Sequence, residues 1–206
     1  MRDNMAIKNI VFDFGQVLIK FDPAYMVSKY TQNEDDAKLL CDVLFDRLYW
    51  DKLDSGDISD AEVVAHCKQR LPERLWDAAE SAYYNWIYNI PEIDGMRELT
   101  LYLKSRGIRL FLLSNISTYF AEHIDEFSIL EPFERCVLSA PIKMVKPNAD
   151  IFEYLCSSCD ILASETLFID DNALNVKGAQ AVGISAYQFD GDVEKLKIYL
   201  NALLNQ

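Results

Sequence analysis

The first residue able to do chemistry is an aspartate at the end of an apolar run. In Ile10-Val11-Phe12-Asp13-Phe14-Gly15 the hydrophobic stretch stops at Asp13, and Gly15 allows a sharp turn. Asp13 can serve there as a nucleophile or metal ligand, or simply cap the turn. A second run, 166–169, ends on the adjacent acids Asp170 and Asp171. Paired carboxylates at a strand end are costly without water or a cation beside them. With Asp13 alongside, three acids converge, a set suited to magnesium, which takes one or two carboxylates and the phosphate oxygens of a substrate. Alternatively the pair favours the N-terminus of a helix starting near Asn172. Ser114-Asn115 ends another apolar run and offers a hydroxyl and successive backbone N–H groups, as an anion seat or as a plain helix cap. Lys146-Pro147 precedes a helical stretch; its ammonium could reach that seat or remain a solvated loop cation.

These residues need elements that bring them together. Apolar, strand-like runs at 10–12, 108–113, 136–138, 166–169 and 184–188 alternate with helical stretches. Nearly continuous hydrophobic strands indicate burial on both faces, as in a parallel sheet. The helical stretches 96–106 and 172–182 stop at Gly107 and Gly183, as C′ glycines do. The pattern predicts an α/β fold, a doubly wound, Rossmann-like parallel sheet. One interruption, from about 22 to 89, holds no strand-like segment. Asp22-Pro23 reads as a cap with a first-turn proline, Asn33 caps a helix over 34–45, and Ser59 with Glu62 forms a capping box. The stretch 53–57 reads as a turn and 73–86 as a fourth helix. We therefore expect an α/β core of residues 1–21 and 89–206 and an inserted α-helical cap domain of residues 22–88. Ligands of open α/β sheets bind beyond the carboxyl ends of the strands, where Asp13, Ser114-Asn115 and Asp170-Asp171 gather.

Composition narrows the functions. The 206 residues carry 20 Lys and Arg against 33 Asp and Glu, a net charge of −13. Such a chain repels phosphate backbones and anionic lipid, so neither nucleic acid nor membrane is expected as a partner. A phosphate site must carry its own cation. The five cysteines fit a reducing, cytoplasmic setting. Cys156 and Cys159 have redox-like spacing but fall inside the helical stretch 148–160, where a thioredoxin-type pair is not found. The start of the chain is polar, without the apolar core of a signal peptide. Monomer and homodimer are equally compatible.

Taken together, the four features resemble the motifs of the haloacid dehalogenase (HAD) superfamily, over nearly the whole chain. Phe12 to Leu18 is similar to the first motif, Leu112-Leu113-Ser114-Asn115 to the second, Lys146-Pro147 to the third, and Phe168-Ile169-Asp170-Asp171-Asn172 to the fourth. Within the superfamily the chain most resembles the branch holding α-D-glucose-1-phosphate phosphatase and the phosphatase domain of epoxide hydrolases. The resemblance implies a Mg2+-dependent phosphomonoesterase acting on small phosphate esters, sugar phosphates first among them. Asp13 would attack phosphorus and form an aspartyl-phosphate. Magnesium would be held by Asp13, the carbonyl oxygen of Gly15 and Asp171, with Asp170 in support. Ser114, the Asn115 amide and Lys146 would hold the phosphoryl oxygens.

The pattern breaks at Gly15, where most phosphatases of the superfamily carry an aspartate that protonates the leaving alcohol. General acid–base help contributes roughly 10²–10⁴-fold, whereas phosphate-monoester hydrolysis can require up to about 10²¹-fold acceleration. Loss of the acid slows such an enzyme without silencing it; Gln16, Asp22 or a metal-bound water could replace it. Two other functions compete. A 2-haloacid dehalogenase also lacks the second aspartate, but needs no metal and usually lacks the paired acids. A non-catalytic binding protein on the same fold would have no reason to keep Asp13, Lys146 and Asp171 together. The aromatics Tyr49, Trp50, Trp76, Tyr83, Tyr84, Trp86 and Tyr88 are expected mainly to pack the cap, with one or two facing the cleft. His66 and His123 read as packing or surface residues; Asp46, Arg47 and Lys52 could reach polar groups of a substrate.

Overall fold

The computed structural model describes residues 6–88 and 90–205; the first five residues and position 89, where the core is expected to resume, lie outside the described residues. Five parallel strands form one sheet in the order β3-β2-β1-β4-β5: β1 (Asn9–Phe12), β2 (Arg109–Ser114), β3 (Arg135–Leu138), β4 (Thr166–Asp170) and β5 (Ser185–Gln188). Their side chains alternate between two hydrophobic clusters, because successive residues of a strand face opposite ways. Ile10, Phe12, Leu110, Leu112, Leu167 and Ile169 enter one cluster; Val11, Phe111, Leu113 and Phe168 enter the other. Both faces of the sheet are thus buried, which is why its central strands read as unbroken apolar runs.

The segment between β1 and β2 is helical, as expected, but holds five α-helices before the one that leads back to the sheet. They are α1 (Pro23–Val27), α2 (Glu34–Leu44), α3 (Trp50–Asp54), α4 (Asp60–Gln69) and α5 (Trp76–Asn85); α6 (Met96–Ser105) then returns to β2. Three starts follow the sequence. The Asp22 side chain accepts from the Tyr25 N–H, that of Asn33 accepts from the Asp36 N–H, and Ser59 and Glu62 cap each other's backbone. Two details differ. Residues 50–54 are a helix where a turn beginning at Leu53 was expected, and 73–75 and 86–88 are 3-10 turns flanking a shorter α5. A five-residue helix spans too few turns to leave an amphipathic period. Among the described residues the remaining α-helices are α6, α7 (Thr118–Glu122), α8 (Ser139–Ile142), α9 (Ala149–Cys159), α10 (Ala173–Ala181) and α11 (Val193–Leu204). Cys156 and Cys159 lie on α9 as free thiols.

The helical insertion is not packed apart from the sheet. Leu40, Val63, Ala79 and Trp86 belong to the same buried cluster as Phe12, Leu112 and Ile169. Leu18, Ile19 and Phe120 lie at the junction in that cluster. No helix among the described residues is long and apolar enough to cross a membrane.

Candidate active site

Strand register assembles the site. Phe12 pairs with Leu112 on one side and Ile169 on the other, so the next residues outward, Asp13, Leu113 and Asp170, stand level at the carboxyl edge. Lys146 ties them together: its Nζ donates to Asp13 Oδ1 at 2.6 Å, to Asp170 Oδ2 at 2.8 Å and to the Leu113 carbonyl at 2.9 Å. The lysine side chain is 1% exposed, so the solvated-loop alternative is excluded. All three ammonium protons are engaged, and a contact with a phosphoryl oxygen requires that one of them be shared or exchanged.

Each of these groups is held from behind. The Asn115 side chain brackets Lys146, its Nδ2 donating to the lysine carbonyl at 3.1 Å and its Oδ1 accepting from the lysine N–H at 2.9 Å. Asn115 therefore caps no helix; α7 starts later, after Ser117. Asp170 accepts from the Asn172 N–H at 2.8 Å and from Asn175 Nδ2 at 3.0 and 3.1 Å. Capping of α10 falls to Asn172, whose Oδ1 accepts from the Leu174 N–H at 2.9 Å. Neither acid of the pair is the cap of α10, although Asp170 is anchored to the start of that helix through Asn172 and Asn175. Gly178 of α10 makes this geometry possible: a Cβ there would stand 2.4 Å from the Pro147 carbonyl oxygen, so only glycine lets α10 approach the loop that carries Lys146.

Electrostatics follow from the burial. Asp13 is 9% exposed; burial pushes its carboxyl up to about 7 against the pull of Lys146, with Asp170 adding repulsion. Burial alone would lower the Lys146 ammonium, but Asp13 and Asp170 outweigh it and hold the lysine above its ordinary range. Asp171 is raised by burial and by Asp170 beside it. Carboxylate oxygens of Asp13, Asp170 and Asp171 lie within 4.8 Å of one another. Three carboxyl groups this close together, with one lysine among them, form a site whose negative charge a hard cation relieves. The all-oxygen donor set fits magnesium, with Asp171 the more available partner because Asp170 is fully committed to Lys146, Asn172 and Asn175.

Asp13, Lys146 and Asp171 stand on the floor of a cavity of about 350 Å³ between the sheet edge and the insertion, with Asp170 fully buried behind them. Gly15 and Ser114 line it, as expected, and so do Gln16 and Asn172. Gly15 lies in the turn after β1, but the left-handed residue there is Gln16, with φ 59°. The Ser114 hydroxyl, buried, points locally to the Asn115 carbonyl at 3.4 Å. On the insertion side Tyr49, Trp50, Tyr83 and Trp86 reach the cavity, more aromatics than the one or two expected. Asp46 and Arg47 also line it and Lys52 does not. His66 packs on Tyr49, ring centroids 5.2 Å apart, and His123 bonds the Tyr119 carbonyl; neither enters the site. Three participants escaped the sequence: Asn175, Gly178 and the cavity-lining Asp54. A polar residue on the inward face of α10 was the available signal for Asn175; the other two depend on tertiary approach.

A parallel α/β sheet with an aspartate–lysine–aspartate cluster at its carboxyl edge defines a hydrolase of the HAD type. A family model described as haloacid dehalogenase-like hydrolase matches residues 7–183, and the chain belongs to that family. It is 26% identical over 208 residues to the D-ribitol-5-phosphate phosphatase of Bacteroides thetaiotaomicron, covering 95% of this chain and 100% of the relative. It is 32% identical over 183 residues to the sesquiterpene phosphatase astK of Aspergillus oryzae, covering 87% and 88%. Among solved structures, a HAD-family enzyme of B. thetaiotaomicron in complex with magnesium and inorganic phosphate superposes with a TM-score of 0.68 at 26% identity, over 93% of this chain and 99% of that one.

Proposed function

We propose that this chain is a magnesium-dependent phosphomonoesterase of small phosphate esters, with Asp13 as the nucleophile. The carrying observation is the meeting of Asp13, Lys146 and Asp171 in one cavity, with Asp170 buried behind them. Asp13 attacks phosphorus as the bond to the ester oxygen breaks, and water then hydrolyses the aspartyl-phosphate. Lys146 orients the Asp13 carboxylate beforehand and shares its charge with the phosphoryl oxygens as they approach. Ser114 and the Asn115 amide complete that seat. Asp13, the Gly15 carbonyl and Asp171 are the residues to hold magnesium, with Asp170 positioning Lys146 behind them. When bound, the cation neutralises charge that would otherwise keep carboxylate and phosphate apart.

Residues 22–88 act as a cap on the core of residues 1–21 and 89–206, closing over a substrate small enough for the cavity. Sugar and sugar-alcohol phosphates are the first class to examine, in keeping with the ribitol-phosphate phosphatase. The aromatic wall of Trp50, Tyr83 and Trp86 equally suits an apolar, terpenoid-sized ester, as the sesquiterpene phosphatase would take. The test is phosphate release from a panel spanning both classes, with and without Mg2+, for wild type and Asp13→Asn. The expected result is Mg2+-dependent release that the substitution abolishes. Equal activity in both proteins, or halide release from 2-haloacids without phosphate release, would overturn the assignment.

A further inference from the structure

At Gly15, two residues after the nucleophile, the site lacks the proton donor usual there, and neither of the two side chains the sequence offers in its place supplies it. The Gln16 amide is far too weak an acid to protonate a leaving group, and its Nε2 donates to the Phe21 carbonyl. Asp22 is spent on capping α1, its Oδ1 accepting from the Tyr25 N–H at 3.1 Å. The helical insertion offers another carboxyl. We propose that Asp54, the last residue of α3, is the general acid of the first half-reaction and the general base of the second. This rests on the phosphatase reading above.

Three observations support the assignment. Asp54 lines the cavity whose floor holds Asp13 and Lys146, and no described residue donates a hydrogen bond to its half-buried carboxylate. Its place is held by contact between the two parts of the molecule. The turn after α3 lies against α8, with Gly56 at φ +69° and so close that a Cβ would stand 2.7 Å from the Ala140 carbonyl oxygen. Glycine is required there both for the backbone conformation and for the approach. Finally, burial pushes the Asp54 carboxyl up to about 6, Lys146 pulling it down and Asp51 raising it. The other charged groups around the cavity are Asp46 and Arg47, just before α3, and Asp13 and Asp171 on the floor; α8, packed against α3, carries no titratable side chain. A carboxyl poised near neutrality is suited to giving and retaking a proton.

The balance is complete. As Asp13 bonds to phosphorus and the ester P–O bond breaks, protonated Asp54 gives its proton to the leaving oxygen and the alcohol departs. Asp54, now a carboxylate, takes a proton from the water that attacks the aspartyl-phosphate. The bond between phosphorus and Asp13 breaks, and inorganic phosphate leaves with Asp54 protonated again.

The test compares wild type, Asp54→Asn and Asp13→Asn on p-nitrophenyl phosphate, whose phenolate leaves without a proton, and on the alkyl phosphate turned over fastest in the panel. Asp54→Asn should lower kcat/KM for the alkyl ester by roughly 10²–10⁴-fold and for the aryl ester far less. In wild type the alkyl-ester kcat/KM should fall as pH rises through the Asp54 pKa, because the acid must be protonated, and that limb should vanish in Asp54→Asn. Asp54→Ser should reproduce the same selective loss, and carries the comparison if the asparagine variant folds poorly. Equal losses on both esters, or none on the alkyl ester, in a protein whose Asp13→Asn variant is inactive, would overturn the role of Asp54 alone. Activity surviving in Asp13→Asn would overturn the phosphatase reading and this inference with it.

Discussion

At the scale of residues the site is governed by one buried cation among carboxylates. Lys146 offsets the charge of Asp13 and Asp170 where little water reaches. Removing one partner of a buried pair leaves uncompensated charge and costs about 3–5 kcal/mol. Lys146→Met, which keeps the length and apolar stem of the side chain, should therefore unfold at lower denaturant by an amount in that range. The pH dependence has a definite sign. Asp13 already titrates near 7 with the lysine present; without it the folded-state pKa rises further above the unfolded value. An acid raised in the folded state adds stability below its folded pKa and loses it as pH rises through that value. The deficit of Lys146→Met relative to wild type should thus shrink as pH falls towards the wild-type Asp13 pKa of about 7 and level off below it, where both proteins gain equally, measured by urea unfolding from about pH 9 down to about pH 6. A deficit that grows on acidification would mean that Asp13 is not the group left unpaired. By contrast, Gly15 is not forced on the chain: a Cβ there meets nothing within 4 Å, so the missing acid does not reflect a lack of room.

At the scale of elements, the catalytic floor is built by strand ends and its roof by a short helix docked from the insertion. Gly56 is the docking point, and Gly56→Ala must either take a left-handed φ or move away from Ala140. Strain of that kind costs of order 1–3 kcal/mol. We expect a loss of stability in that range and a fall in alkyl-ester kcat/KM. In an Asp54→Asn background the same substitution should cost activity little more, since both changes act through one carboxyl and neighbours that share a function are not additive. Additive losses in this cycle would place the effect of Gly56 elsewhere. The contrast with the floor explains what the sequence could show. Asp13, Ser114 and Asp170 were legible because each ends an apolar run that only a doubly buried strand produces, and the capping residues Asp22, Asn33 and Ser59 marked their helices by type and spacing. Lys146 was legible mainly through its company. Asp54 was not, because Leu53-Asp54-Ser55-Gly56-Asp57 has the composition of an ordinary turn; the role proposed for it depends on where α3 lands on α8, which no local pattern encodes. Asn175 and Gly178 were missed for the same reason, since α10 packing gives them their meaning.

At the scale of the whole molecule, the insertion and the sheet share one hydrophobic cluster, and this bears on how independent a cap can be. Phe12, Leu112 and Ile169 on the sheet and Leu40, Val63 and Ala79 in the insertion join through Leu18, Ile19, Trp86 and Phe120. A second clasp is polar: buried Asp60 of α4 accepts from Ser117 Oγ at 2.7 Å and the Tyr119 N–H at 3.0 Å, both beyond β2, and from Tyr83 Oη at 2.8 Å within the insertion. Separating the insertion would expose apolar surface from both parts and break the two hydrogen bonds that Ser117 and Tyr119 give to Asp60, each worth roughly 1.5–3 kcal/mol to a charged acceptor. Unfolding should accordingly be a single cooperative step. The chain supplies its own probe, because its three tryptophans, Trp50, Trp76 and Trp86, all lie between β1 and α6, whereas far-UV circular dichroism reports every helix and strand. In urea at neutral pH the fluorescence and dichroism transitions should coincide, the mark of two-state behaviour. A fluorescence transition preceding the dichroism change would show that the insertion melts on its own, and that the shared cluster is too weak to hold roof and floor in register. In that case the approach of Gly56 to Ala140 could not hold Asp54 over the nucleophile through a catalytic cycle. Coincident curves would mean that the same packing that stabilises the fold also keeps the roof in position.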